Sequence, residues 1–474
     1  MPPHVVILGA GPAGLGAAFQ LRRLERATVT VVEQQSVVGG NAGSFEWQRQ
    51  RLDYGSHRLH PATDPAILAD IRELLGADLL DRPRHGRIRL RGKWIHFPLE
   101  PADLLLRLDR AFARGVLRDA AAKALRRGTS EGDTFASVLL ANLGPTICRD
   151  FYFPYARKIW GREPEELSGI QARRRVSAGS FGKMVRKVLS SVPGLKPTGA
   201  GRFFYPRWGF GQISEAYAAA ATQAGADLRL DSRVLGLVPP AGPRDQWMVE
   251  VERHGNTEPL WADHVWSTIP VTILARVMRG EVPDAVRAAS HAIDYRAMLL
   301  VYLQLGVQRF TEFDAHYFPG ADVRITRLSE PKNYAATEEP PGRTVVCAEL
   351  PCSPEDPCWS MSEAELGQLV MEDLARSGLD VPGQPLAVTV RRLRNAYPIY
   401  VKGYEEPFGT LDRWADSLPR LLSYGRQGLF AHDNTHHALY MAYCAAECLG
   451  PDGTFDEDRW QGYRKVFATH VVED

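Results

Sequence analysis

The sequence predicts an α/β protein: a Rossmann-like dinucleotide-binding domain assembled from separated stretches of chain, with an inserted α+β substrate domain and a helical subdomain. Three observations predict it. The chain opens with a strand, a glycine turn, a helix and a second strand within its first 33 residues. Strand–turn–helix patterns return after residue 199 and again near the C-terminus. Between them lie an Ala/Leu/Arg-rich stretch of helical character and, later, apolar runs of strand character.

His4 to Leu8 (HVVIL) reads as a buried parallel strand, Leu15 to Leu24 as a helix, and Thr28 to Val32 (TVTVV) as a second strand ending at Glu33. Between the first two stands Gly9-Ala-Gly11-Pro-Ala-Gly14. This is a βαβ nucleotide-binding unit with its glycines in context. Gly9 permits the tight turn, Gly11 leaves room for a pyrophosphate, and Gly14 lets the helix pack closely on the strand. The helix N-terminus offers unpaired N–H groups and partial positive charge to phosphates. Glu33, 19 residues beyond Gly14, is placed to accept the ribose hydroxyls and disfavours a 2′-phosphate. Gly39-Gly40-Asn41 follows, and then Asp53-Tyr54-Gly55-Ser56-His57-Arg58-Leu59-His60.

The 474 residues suffice for about two to three domain-sized units. A hydrophobic fraction of 45% and a charged fraction of 24% are those of a globular chain. The net charge of +1 argues against nucleic acid as a partner. No apolar run is long enough to span a membrane, while peripheral membrane contact and homodimerisation are left open. Six cysteines without a CxxC pair, and no signal-peptide pattern, make a reduced, cytoplasmic setting the expectation. Cys444 and Cys448 read as two small buried residues, and no metal-ligating set is assigned.

Along the rest of the chain, Ala66 to Leu75 reads as a helix, Arg87 to Pro98 as a hairpin turning at Arg91-Gly92-Lys93, and Leu99 to Leu140 as helical. Phe203 to Ile213 reads as a strand and turn entering a helix, and Ala226 to Val238 as one strand. Trp247 to Val251 and His264 to Ile269 read as further strands, and Met298 to Gly306 and Thr344 to Glu349 as strands of a second sheet. Gly425 to Asn434 is expected to be a strand ending in a polar turn, with a helix from His436 to Leu449. The expected division is 1–65, 199–270 and 420–474 for the dinucleotide-binding domain, 66–198 for a mainly helical insert, and 271–419 for a sheet-containing substrate domain.

The glycine turn, Glu33, the glycine pair and the Tyr-Gly-x-His-x-x-His run together resemble the FAD domain of the amine oxidase and protoporphyrinogen oxidase clan. The His57-Arg58-Leu59-His60 form is most similar to its UDP-galactopyranose mutase branch. The resemblance implies FAD as cofactor. It implies that Gly39, Gly40 and Asn41 approach the phosphate and ribityl chain, that His57 and His60 lie near the flavin ring, and that Val234 contacts the adenine by its backbone. It also implies that the Gly425-Arg426…Asn434 segment brings a helix N-terminus to the ribityl chain and flavin.

Further segments resemble the mutases. Lys158-Ile-Trp160-Gly161…Glu166-Leu167 matches the pattern that places a tryptophan in the substrate cleft, with Tyr155 beside it. Arg173-Arg174-Arg175 suggests an inward guanidinium at Arg174. Arg327, in Thr326-Arg327-Leu-Ser-Glu330-Pro-Lys332, and Tyr397, in Asn395-Ala-Tyr397-Pro398, match an arginine and a tyrosine that engage a diphosphate, with Tyr400 as a looser second tyrosine. Lys332 is the candidate for a flavin-facing lysine. The expectation is an FAD-dependent oxidoreductase acting on a polar, anionic small molecule bearing sugar or phosphate. The alternative is a mutase-like isomerase that uses reduced FAD as the nucleophile in pyranose–furanose isomerisation of a nucleotide-linked sugar.

Overall fold

The computed structural model describes residues 2–97, 107–125, 132–175 and 201–472. The expected boundary at Gly199 and part of the stretch from Leu99 to Leu140 lie outside them.

Five parallel strands form the first sheet, in the order Leu421–Ser423, His4–Leu8 flanked by His264–Ser267 and Thr28–Val32, and Asp227–Arg229 at the far edge, with His264–Ser267 next to Leu421–Ser423. The apolar run HVVIL explains its central place. Val5 and Ile7 belong to one core cluster and Val6 and Leu8 to another, so both faces are covered. The helix Pro12–Arg23 packs against Gln212–Gln223 and Thr435–Cys448 on the first face. A three-stranded antiparallel sheet, Ser232–Val238, Trp247–Arg253 and Asn256–Ala262, lies with the second cluster.

The stretch read as one strand from Ala226 to Val238 is therefore two. Asp231 takes φ +51° between them, and the halves join different sheets. The segment from Gly425 is likewise corrected: the strand is the preceding Leu421–Ser423, and Gly425–Gly428 is one helical turn.

The second large sheet has seven strands, with Asp294–Leu305 between Ala387–Ile399 and Thr344–Cys352. Arg327–Ser329, Ala315–Tyr317, Gly86–Leu90 and Lys93–Phe97 extend it. The hairpin expected inside the mainly helical insert thus belongs to this sheet, and it turns at Arg91 and Gly92 with both φ positive. Leu299, Val301 and Leu303 face the helix Glu363–Arg376 on one side of the sheet. Met298, Leu300 and Tyr302 pack with Phe45 and Leu52 on the other. A helical group, including Arg110–Leu125, Phe135–Leu143 and Phe153–Trp160, surrounds its own cluster around Phe112, Leu139 and Trp160. No helix among the described residues is long and apolar enough to cross a membrane.

Candidate functional site

A cavity of about 950 Å³ runs from the first glycine turn to the face of the seven-stranded sheet. At one end its wall is backbone. Gly9 has φ +102°, and a Cβ there would lie 2.7 Å from Thr268 Oγ1. A Cβ on Gly14 would lie 1.9 Å from Gly9 O, so only glycine lets the helix approach the turn. Gly11 borders the cavity, and a Cβ there would meet nothing within 4 Å. The empty space in front of Gly11 is the cavity itself, a cradle that any side chain would begin to fill.

Glu33 closes this end. Its Oε2 accepts from Ala10 N at 2.9 Å and its Oε1 from Gln35 N at 2.9 Å. Burial raises its pKa, and those backbone donors oppose the rise. Gly39, Gly40, Asn41 and Val234 line the same wall. Asn41 Nδ2 donates to Asn395 O at 3.1 Å, which ties the glycine pair to the strand Ala387–Ile399. Asn434, Thr435 and Ala438 bring the N-terminus of the helix Thr435–Cys448 to the cavity. Gln427 also lines it, and Gln427 Oε1 is buried without a hydrogen-bond partner.

The opposite end is built of charged and aromatic side chains. Arg327 Nε and Nη2 donate to Glu349 Oε1 and Oε2, both at 2.8 Å. Burial would lower the Arg327 pKa, but Glu349 beside it holds the guanidinium well above its ordinary value. Glu349 also accepts from Ser56 N at 2.8 Å. Arg327 therefore stands on the cavity wall as half of a bidentate pair.

Arg58, Tyr317, Arg391, Arg392, Arg394 and Trp359 also line the cavity. Sequence reading did not single them out. Arg58 donates to Tyr317 Oη and Tyr334 Oη at 3.0 Å and pairs with Asp314 at 3.2 Å. Its signal in the sequence is its place between His57 and His60. The Arg-Arg-Leu-Arg run before Tyr397 was the signal for the others. Arg426 borders Tyr397, with its guanidinium 5.2 Å from the ring centre. His57 lines the cavity, contacts Tyr54 O through Nε2 at 2.9 Å and stacks on Phe210. Burial pushes its pKa down, against the pull of Asp53.

Several expected residues lie elsewhere. Tyr155 and Ile159, one helical turn apart, face the cavity, which turns Trp160 into the core against Phe135 at 5.4 Å. Tyr400 is 1% exposed, donates to Phe430 O at 2.7 Å and stacks on Tyr404. Arg174 donates to Tyr400 Oη at 3.0 Å, behind the wall. His60 Nδ1 accepts from Ala62 N at 3.1 Å in the turn before the helix Pro65–Leu75, away from the cavity. Gly425 sits behind Arg426, where a Cβ would lie 2.9 Å from Ala13 Cβ. Lys332 is 3% exposed and donates to Gln308 O, Glu338 O and Pro340 O, so it fastens a loop.

Comparison with known proteins fits this geometry. A structure of reduced UDP-galactopyranose mutase superimposes with a TM-score of 0.80 at 20% identity, covering 94% of this chain and 93% of that one. Putrescine oxidase with bound putrescine gives a TM-score of 0.65 at 16% identity over 94% and 98% of the two chains. Cyclohexylamine oxidase from Brevibacterium oxydans IH-35A gives 0.65 at 15% identity over 95% and 99%. At such identities the likeness is one of fold. In sequence, 79 residues are 43% identical to phytoene dehydrogenase of Streptomyces griseus, a match spanning 17% of this chain and only 15% of that protein. The model of the flavin containing amine oxidoreductases matches residues 12–443. That match, over most of the chain, places the protein in the flavin containing amine oxidoreductase family.

Proposed function

We propose that the flavin is FAD and that the enzyme oxidises a polar, anionic small molecule bearing phosphate or sugar. One observation carries this reading: the cavity joins a dinucleotide-shaped backbone cradle to a wall rich in arginine. Arg58, Arg233, Arg327, Arg391, Arg392, Arg394 and Arg426 line it, against Glu33, Glu349 and Asp433. Seven guanidinium groups facing three carboxylates favour an anionic occupant. The FAD phosphates, cradled by the glycine turn, account for part of that charge, and the substrate for the arginines beyond it.

FAD supplies the hydride-accepting ring; the chain supplies the setting. Gly9, Gly11, Gly39, Gly40 and Asn41 are the residues to hold the pyrophosphate and ribityl chain, Glu33 the ribose, and Val234 the adenine. The helix starting at Thr435 presents partial positive charge, which stabilises negative charge developing on a bound ring. Arg327, fixed by Glu349, retains N–H groups beyond the two that the carboxylate occupies. With Tyr155, Tyr397 and Arg426 it orients the substrate's anionic group.

The presence of Arg327, Arg426, Tyr155 and Tyr397 on one cavity wall also favours a second reading. Guanidinium and phenol groups together suit a diphosphate, as a mutase-like isomerase of a nucleotide-linked sugar requires. The two readings part in one experiment. The dithionite-reduced enzyme is incubated anaerobically with nucleotide-linked pyranoses, and the oxidised enzyme is mixed in air with anionic candidates. Substrate-dependent bleaching of the flavin with formation of hydrogen peroxide supports the oxidase. Ring-contracted product without net oxidation rejects it in favour of the isomerase.

A further inference from the structure

Tyr317 is 9% exposed and lines the cavity at its charged end. In the seven-stranded sheet it stands directly opposite Arg327. Residues in direct register project from the same face of a sheet, and both of these line the cavity. The Arg327 guanidinium lies 6.0 Å from the centre of the Tyr317 ring, and Phe97 packs on that ring at 4.9 Å. Packing thus holds the ring, and the hydroxyl at its tip remains to be satisfied.

Behind Tyr317 stands Arg58, whose side chain is 9% exposed. Arg58 Nη1 donates to Tyr317 Oη at 3.0 Å, and Nη2 donates to Tyr334 Oη at 3.0 Å and to Asp314 Oδ1 at 3.2 Å. The rings of Phe203 and Tyr334 lie 5.2 Å and 5.0 Å from its guanidinium. A guanidinium has five donors and no acceptor. The Tyr317 oxygen therefore accepts from Arg58, and its own proton must go elsewhere. Among the described residues no group accepts it. Tyr334, the other phenol on Arg58, has Ser56 Oγ as a second partner and does not line the cavity. One buried cation thus serves two phenols, and only that of Tyr317 keeps its proton for an occupant of the cavity.

We propose that the Tyr317 hydroxyl donates a hydrogen bond to a phosphate oxygen of the substrate, beside the guanidinium of Arg327. Accepting from a cation polarises the O–H bond, and hydrogen bonds to an ionised oxygen are the strong ones. A substrate ammonium has no lone pair to receive that proton, and the arginines of the wall repel it. Tyr317 is thereby a specificity residue that favours an oxyanion over an amine. Its role rests on the anionic reading of the substrate given above. The carbonyls of a bound flavin are the rival acceptor, and flavin affinity separates the two.

Flavin-loaded protein is titrated with pyrophosphate at constant ionic strength, with calorimetry and flavin absorbance as readouts. Tyr317→Phe keeps the ring and removes only the hydroxyl; Tyr334→Phe removes the matching contact to Arg58 behind the wall. Tyr317→Phe should bind pyrophosphate at least about tenfold more weakly, and Tyr334→Phe within about twofold of the unaltered chain. The flavin dissociation constant should not change in either. Equal pyrophosphate affinity in Tyr317→Phe overturns the role of Tyr317 and leaves the anionic reading standing. Equal losses in the two variants mean that the hydroxyl acts only through Arg58, and overturn it too. So does weaker flavin binding in Tyr317→Phe with pyrophosphate affinity intact. If the unaltered protein binds no pyrophosphate, the anionic reading falls and the role of Tyr317 with it. Should Tyr317→Phe fail to fold, a crystal structure of the unaltered protein with pyrophosphate decides. An anion oxygen within hydrogen-bonding distance of Tyr317 Oη is expected, and an anion bound out of its reach overturns the assignment.

Discussion

At the glycine end of the cavity the wall is largely backbone of the first 42 residues; at the Tyr397 end it is side chains from distant segments. Gly9, Gly11, Gly39 and Gly40 act through clearances of a few ångströms. Tyr155, Arg327, Tyr397 and Arg426 are positioned by partners such as Glu349 and by packing between the seven-stranded sheet and the helical group. The first end is therefore sensitive to a single added carbon. The second is sensitive to the loss of one partner in a pair of buried charges.

The largest effect expected at the glycine end is that of Gly14→Ala. The added carbon meets Gly9 O at 1.9 Å, and neither backbone has room to yield. Stability should fall by about 3 kcal/mol or more, with loss of bound flavin, as read by thermal melting and visible absorbance. A variant with normal flavin content would undo this account of the turn.

At the charged end, Arg327→Ala leaves the 3%-exposed Glu349 without its counter-ion. A loss of about 3 kcal/mol is expected by denaturant titration. Adding Glu349→Gln should restore a large part of it, and strictly additive losses would show that the two groups are not coupled. Lys158→Met is expected to cost about 2 kcal/mol. Lys158 Nζ donates to Phe318 O, to Ile325 O at 2.7 Å and to Gly320 O at 3.1 Å, and burial lowers its pKa to about 7. An unchanged denaturation midpoint would mean that solvent reaches those carbonyls once the ammonium is gone.

Gly11→Ala separates space for ligand from space for folding. Its Cβ points into open cavity, so the melting temperature of the flavin-free protein should hold while flavin affinity falls about tenfold, or 1.4 kcal/mol. Destabilisation matching Gly14→Ala would erase the distinction between the two glycines.

The smallest effect concerns His316, whose pKa burial, then Arg87, lowers to about 3. The unfolded imidazole titrates near 6.5. Between those values the unfolded chain binds more protons, so stability falls as the pH drops below about 6.5, by about 1 kcal/mol from pH 6 to 5. His316→Leu should flatten that part of the pH–stability curve, and an unaltered slope would exclude His316 as its source.

Legibility in the sequence followed the same division. Glu33, Gly39, Gly40, Asn41, His57, Val234 and Asn434 all stand on the cavity wall because local pattern and strand ends placed them there. Trp160, Tyr400, Arg174 and His60 stand off it, since a motif names a residue but not the direction of its side chain. Arg58 and Arg391 to Arg394 went unnoticed, because arginines in sequence read as solvated surface until a fold encloses them.

What the sequence by itself determined is the parallel sheet and its glycine turn. Continuous apolar runs, a helix with small residues at its start and an acidic strand end are interactions among near neighbours, and they specify that unit wherever it lies in the chain. Only the tertiary structure decided that the hairpin Gly86–Phe97 joins the seven-stranded sheet, that Arg327 is paired with Glu349, and that His470 meets Asp433. Those outcomes depend on long-range burial, which removes water from charges far apart in sequence and leaves them to find partners in one another.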